Sequence, residues 1–156
     1  MLEINKISAK LTFVNSIIET FQMKNSVFHL DDSAKKGFGM DVGVVDIFSK
    51  DSHWYGSVLL KVGVRIEANS PNETVADIEN ADFDVEMQVR GIFSAADDMP
   101  EEEFIKMLHL NGVTCVYSIA RAKMEQITAA AFATGKIVLP MINILEFYKE
   151  KTAASQ

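Results

Sequence analysis

A single cysteine, Cys115, leaves this chain no internal disulfide to form, which fits a reducing compartment. No Lys/Arg patch is present either: Lys35-Lys36 is only a pair, and the net charge is -7. Phosphate contacts need clustered cations, so nucleic acid and anionic lipid surfaces are disfavoured as partners. No apolar stretch approaches the roughly 18 residues that a membrane helix needs, so direct membrane insertion is not expected. The start, Met1 to Lys6, lacks a basic segment followed by an apolar run, so no secretory signal is read and a cytoplasmic location is expected. No unit of roughly 20–50 residues repeats, which argues against solenoids and propellers.

Catalytic chemistry is equally sparse. His29, His53 and His109 are scattered, with no second ligand at metal spacing, and read as structural or surface residues. Cys115 has no histidine close in sequence and reads as a packed small hydrophobe. The segment Gly37 to Gly43 has the wrong spacing for a dinucleotide loop, and no phosphate loop ending in Gly-Lys-Ser/Thr occurs. Asp31-Asp32 and Asp97-Asp98 read as solvated loop carboxylates. Nothing pairs an acid with a base under shifted pKa values, so neither an enzyme nor a cofactor or metal is expected.

What the chain does have is patterning. Its 156 residues, 48% hydrophobic and 24% charged, suit one globular domain over residues 1–156 with a full core. Residues 7–93 read mainly as strands and 100–151 mainly as helices, an α+β order with helices packed on one face of a sheet. From Trp54 to Ala68 the even positions are mostly apolar, including Val58, Leu60, Val62, Val64 and Ile66. From Ile78 to Phe93 the apolar positions are odd, including Phe83, Val85, Met87 and Val89. Period-2 patterns of this length predict strands with one buried face, and a hairpin sets their wet faces together. Asn69-Ser70-Pro71-Asn72 supplies the turn.

Met40, Val42, Val44 and Phe48 alternate in an earlier strand. In the first segment Ile7, Ala9, Leu11, Phe13, Ile17, Phe21 and Met23 alternate, whereas Ile7, Leu11, Val14 and Ile18 fit a helix. The β-branched and aromatic content favours strand. These strands exceed the usual span of about 3–10 residues, which suggests sheets packed across subunits.

Pro100 fits a first helical position, with Glu101, Glu102 and Glu103 behind it. Asn111-Gly112 is expected to break that helix. A longer one is predicted from about Thr114 to Thr134, ended by Gly135. Ile137 to Pro140 reads as extended, and a last helix covers about Ile142 to Lys151.

On the wet face of the predicted hairpin, Asp82, Asp84 and Glu86 form an acidic row. It is either a solvated surface with Lys61 and Arg65 as cross-strand partners or a docking face for a basic partner. The eight methionines likewise fit a core or an adaptable binding surface.

Several short motifs fall in register. Gly91-Ile92-Phe93 ends a strand, an acidic helix and Asn111 follow, and Tyr117-Ser118-Ile119-Ala120-Arg121 opens the long helix. The chain then runs ungapped to Leu139-Pro140-Met141-Ile142-Asn143-Ile144. In this series, over roughly residues 7–150, the chain resembles the SecB family of protein-export chaperones. That family carries Gly-Ile-Phe, a Tyr…Ala-Arg helix start and a Pro followed closely by Val-Asn-Phe. The family's Pro-Tyr before Ala-Arg is missing here. So is the tryptophan of its crossover loop, for which Phe38 is the nearest large aromatic. Gln22 stands where the family has an acidic residue, and Lys149 to Gln156 differ from the acidic tail of members that bind SecA.

The resemblance implies a four-stranded antiparallel sheet with long strands, followed by a long helix and a short C-terminal helix packed on one face. It implies a homotetramer, a dimer of dimers. The implied function is an ATP-independent holdase for unfolded or precursor polypeptides, serving export or delivery to a receptor. Carried over by position, the client groove uses Phe38, Met40, Val42, Val44, Ile144, Phe147 and Tyr148. A SecA-facing acidic surface maps to Glu86 with Asp84, within the acidic row that Asp82 extends as a partner-docking face. Two alternatives stand beside it. One is a SecB-like chaperone for an antitoxin or other cytosolic client without SecA; the other is a small-molecule binding protein with one closed pocket per subunit.

Overall fold

The hydrophobic alternation lays four strands into one antiparallel sheet. These are β1 (Thr12–Asn25), β2 (Lys36–Lys50), β3 (His53–Glu67) and β4 (Ala81–Ala96), in the spatial order β1-β4-β3-β2. The structure, a computed structural model, describes residues 10–30, 34–67 and 81–153. Ile7, Ala9, Ala68, Ile78 and the turn Asn69–Asn72 lie outside the described residues. β3 and β4 occupy the middle, and their matching apolar faces form the floor of the core. Val58, Leu60, Val62 and Val64 from β3, with Phe83, Val85, Met87 and Val89 from β4, are no more than 1% exposed. Each such side chain contributes about 1.5–3 kcal/mol by leaving water.

The two edge strands depart from simple alternation. Register shifts at Phe13/Asn15 and Ile18/Thr20 in β1, and at Val45/Phe48 in β2, mark bulges. Each added residue flips the faces beyond it. Phe13, Ile18, Phe21 and Met23 therefore pair with the buried row of β4, while Ile17 pairs with Arg90 on the opposite face. Phe48 likewise crosses to that outer face, where it stacks on Tyr55 at 5.3 Å between ring centroids. The expected alternation through Ile17 and Phe48 is corrected on both counts. Asp46, in the β2 bulge, takes a left-handed φ of 55°. Arg90 of β4 ion-pairs with Asp46 and with Glu19 from the β1 irregularity, so one guanidinium spans both.

The helices form one rod across the inner face. α1 (Glu101–Met107), a π-helical turn (Leu108–Gly112) and α2 (Val113–Ala131) follow without interruption. Pro100 sits one residue before the helix, in extended conformation. Asn111-Gly112 does not break the rod, contrary to the sequence expectation. The Val113 N–H donates to the Leu108 carbonyl, so a wide turn accommodates the extra residue without losing its hydrogen bond. α2 stops at Ala131 rather than Thr134. Phe132 turns extended and buries its ring against Phe83 at 5.0 Å. Gly135, with φ +93°, serves a later turn packed against Leu30.

The rod sits low because glycines lie beneath it. A Cβ on Gly56 would approach Leu108 Cδ1 to 2.7 Å, and one on Gly91 would overlap Val116 Cγ2 and crowd the Phe93 ring. The Gly-Ile-Phe motif thus has a packing role: Gly91 admits the helix and Phe93, 2% exposed, packs beside it. Gly91→Ala should cost about 1–3 kcal/mol of stability through overpacking. Gly39→Ala, where a Cβ meets nothing within 4 Å, should stay within about 0.5 kcal/mol. Urea midpoints of the two variants check this; equal midpoints would remove the packing role.

Candidate functional site

The last third of the chain places a helix beside the β2 edge, and α2 supplies the rails that carry it there. Tyr117 and Arg121, four residues apart, share one face of α2. The Tyr117 hydroxyl donates to the Pro140 carbonyl at 2.6 Å, and Arg121 Nε donates to the Leu139 carbonyl at 2.7 Å. Farther along, the Ile137 N–H donates to the buried Thr128 hydroxyl at 2.9 Å, and that hydroxyl donates to the Met124 carbonyl. Lys136 pairs with Glu125. Residues 136–140 are thereby held extended along α2, with Ile137 and Leu139 buried and Val138 40% exposed.

α3 (Ile144–Ala153) starts where this segment ends. Asn143 caps it, its Oδ1 accepting the N–H groups of Leu145 at 3.0 Å and Glu146 at 3.3 Å. Inside the helix, Tyr148 meets His109 of the π-helical turn, with its hydroxyl 2.7 Å from Nδ1. At the far end Lys151 reaches β2. Its Nζ lies 2.8 Å from Asp41 Oδ1, 3.1 Å from the Val42 carbonyl and 5.9 Å from the Phe147 ring centroid.

Phe38, Met40, Val42 and Val44 alternate along β2 opposite Val64, Val62, Leu60 and Val58, and so face the helices. Ile144, Phe147 and Tyr148 come from α3, and Lys151 joins that helix to the same strand. The exposures grade across the group. Val42 and Ile144 are 9% exposed, Met40, Val44, Phe147 and Tyr148 are half-buried, and Phe38 is 44% exposed. More exposed apolar side chains lie elsewhere, where sequence reasoning did not single them out as site residues: Phe28 at 79% and Met141 at 82% in connecting segments, and Leu145 at 59% in the first turn of α3. The signal for Phe28 was available, an aromatic in the connection between the first two strands.

On the outer face the acidic row is laced with cations. Lys61 pairs with Glu86 and Arg65 with Asp84, each at 2.9 Å. Lys24 of β1 stands opposite Asp84 in the register. Asp82 lies at the start of β4, and its side chain is outside the described residues. Where the side chains are described, the row is a mixed-charge lattice rather than a field of one sign.

A groove of about 1020 Å³ runs along the outward side of the π-helical turn and α2, closed on the other side by residues 141–145. It is open to solvent, lined among others by Cys115, Ser118, Arg121 and Met141. Burial pushes the Cys115 thiol above its ordinary pKa, which disfavours the reactive thiolate. Among the described residues no group of three or more His, Cys, Asp or Glu is placed to hold a metal ion. No helix among them is long and apolar enough to cross a membrane.

No protein-family model matches the sequence, and no curated protein matches it. The structure matches the SecB-like chaperone Rv1957 of Mycobacterium tuberculosis, solved in complex with a ChAD peptide from the HigA1 antitoxin. The TM-score is 0.56, the match covers 85% of this chain and 91% of that one, and sequence identity is 12%. The fold is therefore SecB-like: a four-stranded antiparallel sheet, a long helix and a short C-terminal helix.

The seating of α3 carries a pH dependence. Burial, aided by the Lys151 charge, lowers the pKa of His109 from its ordinary 6.5. Burial raises that of Tyr148, so its phenol stays protonated beside the neutral imidazole. A base with a lowered folded pKa takes up protons preferentially when unfolded. Its stabilising effect is complete above 6.5 and is lost as pH falls toward the folded value. Opening of α3 should rise between pH 7 and pH 5, as the unfolded state takes up the proton that the buried imidazole resists. Amide exchange over residues 144–153, corrected for intrinsic rates, measures it; His109→Phe should flatten the profile. A wild-type profile already flat would contradict the assignment.

Proposed function

We propose that the protein is a cytoplasmic, ATP-independent holdase that keeps unfolded polypeptides from aggregating. The observation that carries this is an apolar row on edge strand β2, beneath a helix tied to that strand by Lys151, in a SecB-like fold. A client chain would meet Phe38 and Met40 first, with Val42 and Ile144 beneath and Val44, Phe147 and Tyr148 alongside. Each side chain the client buries contributes about 1.5–3 kcal/mol, so several weak contacts along one client give affinity without sequence specificity. Release to a receptor then needs no nucleotide.

Two further elements belong to this proposal. The first is assembly as a homotetramer, a dimer of dimers, supported by the open groove beside α2 and by exposed Met141 and Leu145 at its rim. The second is the client. The similar mycobacterial chaperone was solved with an antitoxin peptide. In this chain Lys61 and Arg65 offset Glu86 and Asp84 on the outer face. That balance favours an antitoxin or another cytosolic client over docking on SecA through an acidic surface. SecA delivery remains the alternative, and a SecA pull-down separates the two.

The protein should suppress light scattering by reduced insulin at one tetramer per insulin chain. Phe38→Asp and Met40→Asp should each weaken client affinity about tenfold, the loss of one buried apolar side chain. Unchanged aggregation with the wild-type protein would end the proposal. By sedimentation equilibrium the mass should be that of four 17.3 kDa chains. A clean monomer would remove the assembly.

A further inference from the structure

α3 rests on a histidine. His109 lies half-buried in the π-helical turn, with Nδ1 2.7 Å from the Tyr148 hydroxyl and its ring edge-on to the Tyr148 ring at 5.2 Å between centroids. Histidine is the side chain whose ordinary change of charge falls between pH 5 and 8, so a contact built on it answers to mild acid.

The charges around that ring oppose a further cation. From α3, Lys151 lies three residues beyond Tyr148, and its positive charge acts on His109. Glu146 and Lys149 of the same helix are paired with each other. From β2, Asp41 is already engaged by Lys151 Nζ at 2.8 Å. On the rod itself Lys106, three residues before His109, is another cation. A protonated imidazole has donors on both nitrogens. The Tyr148 hydroxyl accepts from one of them at most, and hydration of the cation is reduced while α3 lies closed.

Of the two elements that meet at this contact, α3 is the one that gives way. It buries Ile144 alone, whereas the rod buries Phe104, Leu108, Val113 and Val116. Displacing α3 uncovers Val42 of β2 and Ile144 itself, each 9% exposed with the helix seated.

We propose that His109 and Tyr148 form an acid-sensitive catch: protonation of the imidazole frees α3 from β2 and widens the apolar surface open to a client. The proposal rests on the holdase reading and adds its regulation. The lowered pKa of the seated imidazole agrees in sign, since the closed helix is favoured above 6.5 and progressively less below it. Linkage is reciprocal, so a client that binds with α3 displaced also draws a proton onto His109.

The probe is reduced, carboxamidomethylated pancreatic trypsin inhibitor, an unfolded chain without histidine. Titration calorimetry at pH 6, in buffers of differing ionisation enthalpy, reads the protons exchanged on binding. The wild-type protein should take up protons as it binds, and His109→Phe should lose the share that His109 carries. Wild-type affinity should tighten between pH 7.5 and pH 6, and the variant should lose that gain. Both values lie above the pI of 4.9, so the net charge keeps its sign. His53→Gln, at the start of β3, should behave as the wild type does. Should the phenylalanine variant fail to fold, His109→Gln, which offers Tyr148 a polar partner that does not titrate, takes its place.

Equal uptake in the wild type and the His109 variants would assign the proton to another group and overturn the catch, while the holdase proposal survives. Binding with no proton exchanged has the same meaning. Proton release on binding would mean that α3 closes over the client, and overturns the catch as well. A wild type that binds the probe at neither pH ends both proposals.

Discussion

The closeness of the helical rod to the β3–β4 floor governs the rest of the structure. Packing at that distance requires bare backbone where the rod crosses, and Gly56, Gly91 and Gly112 provide it; a Cβ on Gly112 would sit 3.0 Å from Val58 Cγ2. The π-helical turn at Leu108–Gly112 lies over this contact and carries the rod on as α2 with its hydrogen bonding intact. With α2 fixed, Tyr117, Arg121 and Thr128 are also fixed, and these three hold the extended segment that delivers α3 to β2. Position at the proposed groove is inherited from a packing constraint on the far side of the helix.

α3 is held in a different way from α2. α2 buries Val113, Val116, Ala120 and Met124 completely, whereas α3 buries only Ile144. Its other ties include a half-buried His–Tyr hydrogen bond, aromatic edges, the Lys151 bond to the Val42 carbonyl and an ion pair whose members are 46% and 73% exposed. Exposed pairs of that kind contribute about 1 kcal/mol or less. The helix nearest the proposed client site is thus the one with the lowest cost of local opening. A site that must admit segments of differing shape gains from a wall that yields while its floor does not.

The two faces of the sheet divide their tasks. The inner face carries the core and the β2 row. The outer face carries Lys61, Arg65, Asp84 and Glu86 in alternating sign, with Arg90 clasping the irregularities of β1 and β2. Mixed charge keeps a broad sheet face hydrated without favouring a strongly basic partner. Its apolar part, where Ile17 and Phe48 surface, exists because bulges rotated those residues out of the inner row.

Local periodicity was legible in the sequence wherever both faces kept one phase. β3 and β4 were readable because each alternates without interruption over its buried part, and the acidic row with its lysine and arginine partners followed from that register. The motif residues Gly91, Tyr117, Arg121, Pro140 and Asn143 marked a known pattern before their reasons were visible. Those reasons are tertiary: a helix overhead, two carbonyls to be held and a helix start to be capped. The bulges in β1 and β2 were not legible, since one added residue leaves composition unchanged while inverting every side chain beyond it. Nor was the continuity of the rod through Asn111-Gly112, because glycine breaks a helix only when packing does not require its missing side chain. The sequence by itself determined which residues seek burial and in what period. Only the tertiary structure decided which row stays open at an edge, since that depends on what the rest of the chain leaves uncovered.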